Sequence, residues 1–91
     1  MVVRHADELL RALAGLELKT VSSDAIRRLG YDPRHRMVGV VFTSSDEVYG
    51  YPHLSDEEIA GLLAVLQNHE SLGHYVSTVI KKNHDHERVQ L

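Results

Sequence analysis

Two groups of side chains in this chain of 91 residues have the type and spacing to do chemistry, and in both cases the chemistry is binding. Arg27, Arg28, Arg34 and Arg36 fall close together, with Asp32 as the counter-charge between them and His35 in their midst. Guanidinium groups present planar, paired donors that match phosphate or carboxylate oxygens, so such a cluster suits a phosphate backbone or an acidic protein surface. An edge strand that carries charge to block aggregation has the same appearance. Tyr49 and Tyr51 are two apart, and on a strand their rings leave the same face of the sheet. On an open sheet such rings stack nucleobases, each stack contributing on the order of 1–3 kcal/mol; beneath a layer of helices they are core. Lys81 and Lys82 either extend the cationic set or complement the C-terminal end of a helix.

Other reactive-looking groups have plainer explanations. Asp56, Glu57 and Glu58 resemble paired carboxylates for proton transfer, yet Ser55-x-x-Glu58 is a capping box, in which hydroxyl and carboxylate exchange hydrogen bonds with each other's backbone amides. His84-x-His86, with His69 and His74 upstream, offers imidazoles of the kind that hold zinc, nickel or copper. Its spacing fits no ligand set on one element, so neither a metal nor a cofactor is expected. The absence of cysteine excludes disulfides, thiolate zinc sites and a cysteine nucleophile. There is no phosphate-cradling glycine loop and no nucleophile elbow, and Ser22, Ser23 and the histidines are not spaced as a triad. The expectation is a protein that is not an enzyme. Full protonation of the seven histidines would add seven charges to the formal −3 and give +4, centred near pH 6.5 for unperturbed rings.

Composition bounds the rest. A hydrophobic fraction of 43% supports one folded domain of residues 1–91, and the net charge of −3 argues against a protein that coats nucleic acid over its whole surface. No apolar run approaches the roughly 20 residues that span a bilayer, and the chain turns polar at Arg4 instead of forming a signal-peptide core. A cytoplasmic protein without membrane contact is expected.

The elements that must position these groups can be read from periodicity. Val3, Ala6, Leu9, Leu10 and Leu13 give a helix from Val3 to Ala14 that stops at Gly15, and Leu16 to Val21 alternates as a short half-buried strand, so residues 1–20 form an N-terminal helix extension. Ile26 to Asp32 reads as a strand ended by Pro33, Arg36 to Thr43 as a strand covered on both faces, and Val48 to Tyr51 as the returning arm of a hairpin. Ser55 opens a helix with the stripe Ile59, Leu62, Leu63 and Leu66; a second helix begins near Ser71, carries Leu72, Tyr75, Val76, Val79 and Ile80 inward, and ends at Asn83. Residues 83–91 lack periodicity and are expected to be a mobile tail.

From residue 21 to residue 82 the order of features resembles the KTSC domain, the short module named for its position at the C-terminus of some lysyl-tRNA synthetases. The resemblance is carried by Val21-Ser22-Ser23 with Ile26 and Gly30-Tyr31-Asp32, by Val38-x-Val40-x-Phe42, by the central Tyr49-Gly50-Tyr51, and by Ser71-x-Gly73-x-Tyr75 followed by Ile80-Lys81. The chain departs from it in the hairpin turn, where Ser44-Ser45-Asp46 replaces the usual glycine, and in the extension before residue 21. The resemblance implies a small α+β module with RNA binding suggested. The expected fold is therefore α+β: an antiparallel sheet of three or four strands, two C-terminal helices on one face and an added N-terminal helix. The leading expectation for function is a non-catalytic module that binds RNA or another nucleic acid through Arg27, Arg28, Arg34 and Arg36, with Tyr49, Tyr51, Lys81 and Lys82 in support. The rival is a protein-interaction module that uses the arginines against an acidic partner, or self-associates through the N-terminal helix.

Overall fold

Met37-Val38-Gly39-Val40-Val41-Phe42 carries no polar side chain on either side, which only a strand buried on both faces can accommodate. The computed structural model, which describes residues 5–21, 23–68 and 70–90, places this segment as β3 in the middle of a five-stranded sheet. The elements in chain order are α1 (His5–Ala14), β1 (Lys19–Thr20), β2 (Ile26–Asp32), β3 (Met37–Phe42), β4 (Glu47–Tyr51) and α2 (Asp56–Gln67). A third helix comes next, α-helical at Leu72–Tyr75 (α3), π-helical at Val76–Ile80 and α-helical again at Lys81–Asn83 (α4), and the last element is β5 (Glu87–Gln90). Spatial order equals chain order and every neighbour is antiparallel, so the sheet is a simple meander.

The expected three or four strands become five at the two edges. β1 is only two residues long. β5 comes from the segment expected to be a mobile tail: it pairs Val89 with Val48 and Arg88 with Tyr49 on the free edge of β4. Four residues are too few for periodicity to declare a strand, and it is the unsatisfied edge of β4 that makes one of them.

Helices close one face. Ile26, Leu29, Val38, Val40 and Tyr51 from the sheet meet Leu62, Val65, Leu72, Val76 and Ile80 from the helices in a single core. The capping box of α2 is present: Glu58 N–H donates to Ser55 Oγ at 3.1 Å, and Ser55 N–H donates to Glu58 Oε1 at 2.8 Å. The buried face of α2 is rotated from the stripe expected in the sequence, because Glu58, Leu62 and Val65 point inward while Leu63 is 53% exposed. Glu58 takes its place on that face with its carboxylate bonded to the Ser55 amide and to His84.

The opposite face is closed by α1. Gly30 pairs with Gly39 and Gly39 with Gly50, so three glycines stand side by side across β2, β3 and β4 on the α1 side. The chain from Leu13 to Leu18 lies directly on this row. A Cβ on Gly39 would stand 2.6 Å from Leu16 Cδ2, and one on Gly30 would collide with the Glu17 carbonyl oxygen. Leu9 and Leu13 are buried against Met37, Val41 and Val48, each contributing on the order of 1.5–3 kcal/mol. Leu9 and Leu13 of the apolar stripe expected as a self-association surface thus pack on the chain's own sheet, while Val3 lies outside the described residues.

One electrostatic contact fastens α1 at the side. His35 Nε2 lies 2.9 Å from Glu8 Oε1, and Nδ1 lies 2.8 Å from Asp32 Oδ2. Ionised carboxylates only accept, so both ring nitrogens must carry protons and the imidazole is cationic. The hydrogen bond to Glu8, then that to Asp32, raises the His35 pKa above 6.5. For Asp32, burial works upward, but the bonds from His35 and from the Arg34 amide outweigh it and hold the carboxyl below 3.8.

Three measurements test these contacts. Ser55→Ala should lose roughly 0.5–2 kcal/mol in denaturant titration; an unchanged midpoint would place the start of α2 elsewhere. Gly30→Ala should cost about 1–3 kcal/mol by overpacking, and hydrogen exchange should show the loss concentrated in α1, whereas uniform loss would contradict the glycine row as its seat. Because the His35 pKa is raised on folding, its stabilisation is complete below pH 6.5 and fades as pH rises through the folded value. The gap in melting temperature between the native chain and His35→Gln should therefore be widest near about pH 6 and narrow by about pH 9; a gap independent of pH would show that the ring is not charged.

Candidate functional site

The alternation of β4 sends Val48 and Gly50 toward α1 and sends Tyr49 and Tyr51 toward the helices. Tyr51 is completely buried, at 0% exposure, in the core that holds Val76 and Ile80. Tyr49 is half-buried, with the Phe42 ring edge-on at 5.5 Å and an interplanar angle of 71°. With α1 on one face and the C-terminal helices on the other, the paired tyrosines do not form an open stacking platform; Tyr51 in particular is not available to a base.

The Tyr51 hydroxyl is itself unusual. It is buried and has no hydrogen-bond partner among the described residues. Burial, and then the neighbouring Tyr49, push its pKa above 10.0, so it stays protonated and remains a donor. The His86 ring covers this pair, 5.0 Å from the Tyr49 ring and 5.9 Å from the Tyr51 ring.

A cleft of about 420 Å³ lies where these rings meet the third helix and the β3–β4 turn. Its aromatic walls are Phe42 and Tyr49, Tyr51 and His86 complete that side, and Ser77 and Lys81 come from the helix. The hydroxyl-bearing turn at residues 43–45 forms the rim, and no carboxylate among the described residues lines the cleft. Ser77 lies within the π-helical stretch and Lys81 directly after it. The wider turn of a π-helix changes the direction of the side chains beyond it, and such stretches recur at functional sites. Lys81 Nζ stands 6.0 Å from the centre of the Phe42 ring, at the outer limit of a cation–π contact.

The four arginines do not share one surface. Arg27 lies at the cleft end of the sheet, where its guanidinium donates to the Ser45 carbonyl at 3.3 Å. Arg28 is exposed beside it, paired in register with Val41 and Thr20 on the α1 side. Arg34 and Arg36 lie in the β2–β3 turn at the other end of β2, a strand whose seven residues span roughly 20 Å. Arg36 fastens that turn to α2: its Nε donates to the Leu54 carbonyl at 2.8 Å and its guanidinium pairs with Asp56. Arg36 does this from the left-handed region, φ 50°, as does His53 at φ 63° in the adjoining segment. Lys81 and Lys82 are exposed, and neither they nor Arg27, Arg28 and Arg34 have a carboxylate within ion-pair distance among the described residues.

The histidines diverge. His84 Nε2 donates to both carboxylate oxygens of Glu58, at 2.8 and 2.9 Å, and Tyr75 donates to the Glu58 carbonyl at 3.1 Å. Burial raises the Glu58 pKa, but the bonds from Ser55 and His84 outweigh it and hold the carboxyl below 4.5. This carboxylate–imidazole pair ties the end of the third helix to the start of α2. Its partners are 26 residues apart, and no local pattern in the sequence joins them. His69 lies outside the described residues, and among those described no group of three or more His, Cys, Asp or Glu is placed to hold a metal. No helix among them is long and apolar enough to cross a membrane.

Comparison with known proteins places this architecture. No curated protein matches the chain. Its fold is similar to the crystal structure of a KTSC domain protein from Yersinia pestis, with a TM-score of 0.67 and 24% sequence identity over 82% of this chain and 99% of that one. The family model of the KTSC domain matches residues 22–84, which include β2 to α4 and the Tyr49-Gly50-Tyr51 segment but neither α1 nor β5. With most of its length matched by that model, the chain belongs to the KTSC domain family.

Proposed function

We propose that this chain is a non-catalytic module that binds single-stranded RNA at the cleft end of its sheet. The observation that carries the reading is the juxtaposition of two cations, Arg27 and Lys81, that have no carboxylate partner among the described residues, around an aromatic, hydroxyl-rimmed cleft that no carboxylate of those residues lines. Phosphate neutralisation needs cations that are not already paired, and single strands add base–aromatic contacts at the same place. Arg27 and Lys81 serve as the phosphate contacts, with Arg28 and Lys82 nearby in the chain. Tyr49, half-buried on the wall of the cleft, contributes its ring. Arg34 belongs to a separate surface, and Arg36 is held by Asp56 and Leu54. The chain as a whole is acidic, so binding is confined to this end and the footprint is a few nucleotides.

Titration of a labelled single-stranded RNA at several salt concentrations tests this reading. The log–log slope of affinity against salt should be close to −0.7 for each phosphate neutralised, and Arg27→Ala or Lys81→Ala should each flatten it by about that amount. Arg36→Ala should leave the slope unchanged. Absence of binding at low salt would overturn the proposal, and an acidic protein partner captured through Arg27 in its place would establish the protein-interaction reading.

A further inference from the structure

A fully buried hydroxyl without a partner has given up its bonds to water and gained none in return, and Tyr51 carries such a hydroxyl at the cleft. Phenylalanine would fill the same space without that cost, so packing alone does not account for the oxygen. Of the other donors of the cleft, the Lys81 ammonium and the Ser77 hydroxyl come from the helix on the opposite wall and the hydroxyls of residues 43–45 stand at the rim; the ring walls are Phe42 and Tyr49. The His86 ring stands 5.9 Å from the Tyr51 ring on the wall of the cleft, and His86 is an exposed residue of the segment that leads into β5, outside both core clusters.

We infer that this cleft is a pocket for the terminal phosphate of a nucleotide, with the Tyr51 hydroxyl and the Lys81 ammonium as its donors and the His86 ring as its movable cover. The inference rests on the RNA-binding reading and narrows it to one end of the strand. A group that is to meet a fully buried hydroxyl must enter end-first, which an internal phosphodiester, continued by chain on both sides, does not do. A terminal phosphate offers several acceptor oxygens and negative charge, matching a neutral buried donor, a cation and a lining that no carboxylate of the described residues joins. A cleft of about 420 Å³ accommodates one nucleotide unit, whose base then lies along Tyr49 and Phe42. The same chemistry is carried by an RNA end and by a free nucleoside monophosphate.

The test compares four probes on the full chain: a short single-stranded RNA with a terminal phosphate, its hydroxyl-ended twin, a nucleoside monophosphate and inorganic phosphate. The phosphate-ended strand should bind about tenfold more tightly than its twin, the advantage expected of hydrogen bonding to a charged group. Tyr51→Phe should remove the larger part of that preference with no fall in melting temperature, and Lys81→Gln, at an exposed position, should reduce it without touching the core. Equal binding of the two strands, or a preference undiminished in Tyr51→Phe, would overturn the inference while leaving RNA binding in place. If neither strand binds, the RNA reading fails; binding of the nucleoside monophosphate that is lost in Tyr51→Phe would then still support the pocket, and its absence would overturn that too. Inorganic phosphate binding as tightly as the nucleotide would overturn the base contact with Tyr49.

Discussion

Gly30, Gly39 and Gly50 stand in one row across three strands, and the segment from Leu13 to Leu18 rests on that row at van der Waals distance. This close approach decides which surfaces of the sheet remain open to a ligand. A side chain at Gly30 would lift the segment off the sheet, because what it would meet there is backbone, whereas at Gly39 and Gly50 it would meet the ends of Leu16, Leu13 and Met37. With α1 held flat on one face and the C-terminal helices on the other, the sheet has no open face, and a ligand can reach it only along its margins. The cleft beside Tyr49 lies at such a margin, between a hairpin turn and a helix.

Of the three elements outside the family-matched residues, α1, β1 and β5, the first and the last are in contact with one another. Val89 of β5 packs with Leu9 and Leu13 of α1, in the same cluster as Val48 of β4. The additions at the two ends of the module therefore support each other. The segment that delivers β5 to the sheet also carries His86 across the tyrosine pair, so an addition beyond the matched module supplies part of the wall of the cleft.

Charge is divided between fastening and exposure. His35 holds α1 to the β2–β3 turn, Arg36 holds that turn to α2, and His84 holds the third helix to α2, each by a carboxylate partner from a different element. Arg27 and Lys81 have a carbonyl and an aromatic ring as neighbours instead. The net charge of −3 hides this division, because it counts paired and unpaired groups alike. Local potential at the cleft end is set by which cations are already neutralised.

Local chemistry was legible in the residues themselves. Ser55-x-x-Glu58 announced a helix start because both halves of a capping box lie within four residues, and the apolar run of β3 announced a strand covered on both sides. The order of short motifs from Val21 to Lys81 was sufficient to indicate the family, since it survives without knowledge of any contact. What the sequence could not contain was the outcome of competition for surfaces. Whether the stripe of Leu9 and Leu13 met another molecule or its own sheet depended on glycines in three separate strands falling into register. Four residues near the C-terminus became β5 because β4 had a free edge, and four arginines near one another in the chain parted because a strand carries its ends some 20 Å away from each other. Spacing along the chain specifies a side chain's direction within an element; which groups then share a cleft is specified only when the elements pack, and that is a property of the tertiary structure.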